Sequence, residues 1–166
     1  TLGNVILASG NLLLNDSIVA TGHTVSNTGA NVTLTSIVNV TGDYGQTGGQ
    51  LILNAGSKLV VSQAASITGG TIAASLSATG NYAPGLETTL VSAGSASAVS
   101  GVVTVTGLSG LITSSTLVGN NLLLTYGNHY IGGTLGSLAN TGNVSAVTAV
   151  YIAATGNLGS LVNSGT

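Results

Sequence analysis

Short aliphatic runs alternate along the chain with turn residues (Gly, Asn, Ser and Thr), the pattern of strands and turns and not the 3.6-residue rhythm of helices. Leu12-Leu13-Leu14, Val32-Thr33-Leu34, Leu51-Ile52-Leu53 and Ile72-Ala73-Ala74 each follow a glycine within a few residues. The residues directly before them are Asn11, Asn31, Gln50 and Thr71, spaced 31 − 11 = 20, 50 − 31 = 19 and 71 − 50 = 21. A second strand follows in each period, with Ile18 matching Val38 and Ala20 matching Val40, both at an offset of 20. The turn Thr21-Gly22 matches Thr41-Gly42 in the same way. Near the C-terminus the text repeats itself at 158 − 135 = 23, an offset that holds at Leu138/Leu161, Asn140/Asn163 and Gly142/Gly165.

Self-similarity at a period of about 20 to 50 residues is the signature of a solenoid. A meander of hairpins would space its strands about 8–12 residues apart and set equivalent residues on antiparallel neighbours. The preserved phase favours parallel stacking, one coil above the next. The chain is therefore expected to be all-β, a parallel β-helix (β-solenoid), and 166 residues at 19–23 per coil give about eight coils. Equivalent aliphatic residues would form inward ladders. Asn11/Asn31 and Asn140/Asn163 would form hydrogen-bonded ladders at the turns. Each coil would lean on its neighbours alone, so stability would accumulate along the axis.

The phase breaks between about Gly80 and Gly101. Asn81-Tyr82-Ala83-Pro84-Gly85-Leu86-Glu87 holds the single proline and is expected to leave the regular coil. One continuous domain follows from this reading, in three stretches. Residues 1–79 form regular coils, residues 80–126 an irregular insert (near 80–100) and a module that continues the solenoid, and residues 127–166 the 23-residue coils.

Charge alters the picture most. Only 2% of residues are charged, where an ordinary domain carries about 25%. Lys58 is the sole cation besides histidine, so no basic track for nucleic acid exists. An ion-pair network cannot hold this fold. The hydrophobic fraction of 43% argues against polar disorder. Without cysteine there is neither a disulfide framework nor a thiolate metal site. No apolar run reaches the roughly 18–20 residues that span a bilayer, so no membrane insertion of this segment is expected. The opening Thr1-Leu2-Gly3-Asn4-Val5-Ile6-Leu7 lacks the basic start of a signal peptide, and the chain reads as a mature or excised segment.

Two stretches carry a resemblance. One is Tyr82, Gly85, Leu90-Val91-Ser92-Ala93, Ser100-Gly101-Val102, Leu108, Leu111 and Asn121-Leu122-Leu123-Leu124. The other is Leu158-Gly159-Ser160-Leu161-Val162-Asn163-Ser164-Gly165-Thr166. The first is similar in shape to the module near the end of bacterial autotransporter passengers, and the second to the Leu-x-Asn-Ser-Gly-Thr coils scattered through them. The resemblance implies a right-handed winding and an extracellular or bacterial cell-surface location.

Chemistry-bearing residues are few. A glycoside hydrolase needs two carboxylates facing each other across about 5 to 9.5 Å. Asp16 lies five residues after Asn11 and Asp43 twelve after Asn31, which places them on different sides of the coil, while Glu87 belongs to the insert. His23 lies twelve residues after Asn11, in phase with Asp43, and the two are expected as a stacked turn pair, with Ser26 as the nearest nucleophile. A solvent-facing pair that aids register is the plainer reading, and the one preferred. Tyr126, His129, Tyr130 and Tyr151 form an aromatic patch that could face a sugar or a partner protein, or fill a wider coil end. Gly48-Gly49 and Gly69-Gly70 lack the lysine and helix of a phosphate loop and are read as turns. No catalytic residue, cofactor site or metal site is expected.

The functional expectation is a non-enzymatic structural β-solenoid of the bacterial cell surface: an adhesin passenger, stalk or filament subunit. Solenoid ends are strand edges that proteins ordinarily cap or guard with charges and Pro. Here the end text is repeat-like and uncharged, with Leu158, Leu161 and Asn163 as the stacking surface. Self-association head to tail would cover both ends. The alternative is a carbohydrate- or surface-binding β-helix module, with a host or surface glycan as its partner. A polysaccharide-degrading β-helix enzyme ranks behind it, because the carboxylate, Arg and Lys cluster is missing.

Overall fold

The computed structural model describes residues 3–75, 86–99, 102–106, 112–127, 129–131, 133–140, 150–152 and 154–163. The chain divides into two compact units. The first comprises Thr1–Leu76, Thr88–Thr106 and Ser115–Leu124, and the second Ser77–Glu87, Gly107–Ser114 and Thr125–Thr166. Among the described residues every regular element is a strand.

The first unit opens with β1 (Val5–Leu7), β2 (Asn11–Leu14) and β3 (Ile18–Asn27). Then come β4 (Asn31–Leu34), β5 (Ile37–Gln46), β6 (Gln50–Leu53), β7 (Lys58–Val61) and β8 (Ala65–Ile67). It continues through β9 (Thr71–Ser75), most of β10 (Leu86–Ala93), β11 (Ala98–Val99) and β12 (Val102–Thr106), and closes with the greater part of β13 (Ile112–Val118) and β14 (Asn121–Gly127), whose residues 112–114 and 125–127 are counted in the second unit. One sheet stacks β2, β4, β6, β9 and β12, all in parallel. Its ladder pairs Asn11 with Asn31, Asn31 with Gln50 and Gln50 with Thr71. The offsets of 20, 19 and 21 are therefore the lengths of successive coils, and the five strands of this sheet mean five coils. The other sheet runs β1-β3-β5-β7-β10-β14-β13, with β8 and β11 beside it. The long β5 pairs with β7 through Ile37, Val38, Asn39 and Val40, then with β8 through Tyr44, Gly45 and Gln46. One long strand thus carries two shorter strands of the next coil.

Alternation builds the core. In β4, β6 and β7 every second residue is buried: Val32 and Leu34, Leu51 and Leu53, Leu59 and Val61. The ladder turns these positions into columns such as Val32–Leu51–Ile72 and Val38–Leu59–Val91. Each such side chain contributes about 1.5–3 kcal/mol by burial. Between β3 and β4, β5 and β6, and β8 and β9 the chain turns at Thr28-Gly29, Thr47-Gly48 and Thr68-Gly69. Glycine is required there, because a Cβ on Gly48 would collide with the carbonyl oxygen of Thr28, and one on Gly69 with that of Thr47.

Two expectations change. Ile18 pairs with Val40 and Val19 with Thr41, an offset of 22, whereas Thr24 pairs with Asp43, an offset of 19. The register slips because β3 spends 24 − 19 = 5 residues where β5 spends 43 − 41 = 2, a three-residue bulge. Of the insert expected near residues 80–100, residues 80–85 and 100 lie outside the described residues, whereas β10 lies on β7 and β11 on β8, both in parallel. Leu53 pairs with Ala74 at 21, but Leu59 with Val91 at 32, so the coil gains 32 − 21 = 11 residues between β9 and β10. Residues 86–99 are back in the stack.

At its far end the first unit departs from parallel stacking. Two residues, Gly119 and Asn120, join β13 to β14, a loop that only an antiparallel hairpin accommodates. The Ala93 amide donates to the Asn120 carbonyl at 3.1 Å, which sets the end of β10 beside the start of β14. Those two strands therefore run antiparallel. Leu122 and Leu124 of β14 complete the buried columns.

The second unit holds β15 (His129–Ile131), β16 (Thr134–Leu135), β17 (Leu138–Asn140), β18 (Val150–Ile152), β19 (Asn157–Leu158) and β20 (Leu161–Asn163). They form three two-stranded parallel sheets, β15 with β18, β16 with β19 and β17 with β20. The repeat read from the sequence is the ladder itself: Leu135 pairs with Leu158, Leu138 with Leu161 and Asn140 with Asn163, each at 23.

Candidate functional site

The bulge in β3 decides the fate of the expected His23–Asp43 pair. The ladder sets Thr24 opposite Asp43, one residue along, and His23 is exposed within the bulge. The Asp43 carboxylate instead accepts a hydrogen bond from the Ala64 amide at 3.0 Å, tying its coil to the next. Asn4 does the same for the Thr24 amide at 3.1 Å. These side chains act as rungs between coils. Asp16 and Glu87 are exposed on other elements, and among the described residues no three His, Asp or Glu side chains gather.

Of the aromatic patch, Tyr130 and Tyr151 are brought together as Cα partners in the β15–β18 ladder, where His129 pairs with Val150. Tyr126 is half-buried in β14. In the stacking surface, Leu158 is half-buried and Leu161 exposed, on strands β19 and β20.

Sequence reading missed a polar corner inside the first unit. Asn27 and Gln46 are fully buried Cα partners, and Tyr44 is buried beside them. Asn27 Oδ1 accepts from the amides of Gly29 and Ala30, and its Nδ2 donates to the Ala30 carbonyl at 3.1 Å, so it closes its own turn. The longer Gln46 reaches further: its Nε2 donates to the carbonyls of Gly69 and Thr71 in the next coil, at 3.3 and 3.1 Å. That coil carries Ile67 in the same column, which cannot serve its own turn. The Tyr44 hydroxyl donates to Gln46 Oε1 at 2.9 Å. Burial pushes the Tyr44 hydroxyl far above the ordinary tyrosine range, and a hydrogen bond with Asn27 draws it partly back. The signal lay in three aligned phrases, Asn27-Thr28-Gly29, Gln46-Thr47-Gly48 and Ile67-Thr68-Gly69.

The second overlooked feature is the N-terminal end coil. Among the described residues β1 and β2 each have a single neighbour. Inward residues Val5, Leu7, Leu12 and Leu14 are half-buried, whereas Val25, Asn27, Val32 and Leu34 directly above them are buried. Outward positions are aliphatic as well: Ile6 is 68% exposed, Leu13 61% and Val19 48%. One coil further on, those positions hold Ser26, Thr33 and Thr41. Nothing in β1 or β2 is charged, and neither contains proline. On the outside the amide ladder begins here, as Asn31 Nδ2 donates to Asn11 Oδ1 at 3.0 Å.

No family model, curated protein or solved structure matches this chain.

Proposed function

We propose that the chain is a non-enzymatic structural β-solenoid of the bacterial cell surface, an adhesin passenger, stalk or filament subunit whose ends join by coil stacking. The observation that carries this reading is the stack of parallel coils, held by buried aliphatic columns and amide rungs, whose described residues at β1 and β2 form an uncharged parallel edge. Such an edge templates another strand unless something blocks it. Cohesion through aliphatic columns and side-chain amides, with no thiol to oxidise, is compatible with the oxidising conditions outside the cell. Right-handed winding accords with the strong preference of parallel strand crossovers, and about eight coils accords with the coil length over 166 residues. On this reading the partners are other copies of the chain and a host or surface glycan.

Negative-stain microscopy and sedimentation over a hundredfold concentration range test the assembly. Filaments or growing oligomers are expected; a monodisperse monomer at every concentration removes stacking from the proposal. Protease shaving of intact source cells tests the location, with loss of the chain expected. Release of reducing sugar from a polysaccharide panel above blank would overturn the non-enzymatic reading.

A further inference from the structure

We infer that the outward face of the sheet formed by β2, β4, β6 and β9 binds a neutral glycan, centred on Asn31 and Gln50. This rests on the glycan partner named above and adds where it lies and what recognises it. β4 and β6 sit within the stack, with β2 on one side and β9 on the other. Two outward columns run across them. Asn11, Asn31, Gln50 and Thr71 form a polar one, and Leu13, Thr33 and Ile52 a mainly aliphatic one beside it. Asn31 is exposed, and Gln50, Thr33 and Ile52 are half-buried. The polar column changes direction at its centre. Asn31 Nδ2 donates to Asn11 Oδ1 at 3.0 Å, toward the start of the stack. Gln50 Nε2 donates the opposite way, to Thr71 Oγ1 at 3.1 Å. Asn31 and Gln50 are nevertheless ladder partners, on strands about 4.7–4.9 Å apart.

Among the described residues no donor reaches Asn31 Oδ1 or Gln50 Oε1, and each amide keeps a second N–H. A ladder running in one direction would have used these acceptors internally. Instead, adjacent rungs offer two acceptors and two donors to a ligand lying over them. That chemistry selects the occupant. A hydroxyl both donates and accepts, so neighbouring hydroxyls of a sugar ring satisfy both amides at once. Carboxylates and ionised phosphates only accept, and an anionic partner would also find no counter-charge. None of β2, β4, β6 and β9 contains a charged residue. Thr33 and Ile52 lie two residues along the same face, next to the two amides. With Leu13 they give the C–H face of a ring an apolar surface, while the amides fix its orientation.

The full chain is tested on an array of neutral and anionic glycans that includes cello- and manno-oligosaccharides and heparin. Neutral members should bind and heparin should not. The strongest neutral binder is then titrated by isothermal calorimetry against variants whose folding is checked by circular dichroism. Asn31→Ala and Gln50→Ala should each weaken binding about fivefold or more, the worth of one or two hydrogen bonds. Asn39→Ala, which removes an exposed asparagine of the other sheet, should leave it unchanged. Unchanged affinity in both the Asn31 and the Gln50 variant overturns the site while leaving the glycan as a partner. Binding confined to heparin and other anionic members overturns the ligand class. If no member of the array binds, the glycan leaves the proposed partners and this inference falls with it.

Discussion

Leu14 and Leu34 occupy the same ladder position one coil apart, yet Leu34 is buried and Leu14 half-exposed. Residue type, strand type and register are shared; a coil on either side is what differs. In a globular core, burial belongs to a position. In this stack it belongs to a neighbour, and among the described residues the first coil has one on a single side.

The largest effect should come from breaking that pair. Leu34→Ala is expected to cost about 2–5 kcal/mol in chemical denaturation, and Leu14→Ala less than about half as much. Equal losses would show that the end coil is as well covered as the interior. If chains stack, the Leu14→Ala cost should grow with protein concentration while the Leu34→Ala cost stays constant.

Next comes the column that starts with Leu7 in the end coil and turns polar at Asn27 and Gln46. Gln46→Leu carries the end-coil residue type inward and removes the hydrogen bonds that Gln46 makes with the Tyr44 hydroxyl and the Gly69 and Thr71 carbonyls. A loss of about 1–3 kcal/mol is expected for each group left unsatisfied, read from urea midpoints. An unchanged midpoint would mean that the apolar residue suits both coils alike.

Tyr44 then gives a pH-dependent test of the interior alone. Burial keeps its hydroxyl protonated in the folded chain above the pH at which an unfolded tyrosine ionises. The folded state thus holds a proton that the unfolded state releases. This contribution is complete below about pH 10 and is lost as pH rises beyond it. Tyr44→Phe should flatten the alkaline limb of a stability–pH curve, while costing about 1 kcal/mol at neutral pH. A wild-type curve level to pH 12 would contradict the buried placement. Smallest is Asn31→Ala, which removes an exposed rung to Asn11 and should shift stability by no more than about 0.5 kcal/mol.

Coil length was legible in the sequence wherever a strand began directly after a glycine turn. Stacked carbonyls exclude any side chain at Gly48 and Gly69, so the turns recur at a fixed phase. The ladder partners Asn11, Asn31, Gln50 and Thr71 could be counted from them, as could the 23-residue pairs of the second unit. The second side of the coil was not legible. Ile18 matches Val38 and Val40 equally well by type, and Thr-Gly occurs at both 21–22 and 41–42. A three-residue bulge leaves no trace in such degenerate text, and the expected His23–Asp43 stack inherited the slip. The polar corner escaped for another reason. Asparagine and glutamine inside a strand pattern ordinarily mark its outer face, and only the turn carbonyls they serve explain their burial.

The eleven residues gained between β9 and β10 show how such a chain can change over evolutionary time. The length enters between two strands, and β10 and β12 still pair in parallel with Leu59 and Thr71 as though nothing had been added. Lengthening a loop is cheap, about 0.6 kcal/mol for each doubling, and less than one buried leucine contributes. A single residue added within a strand would instead reverse the facing of everything after it. Connections between strands are therefore the permissive sites for new peptides, and the paired strands are the frame that carries them.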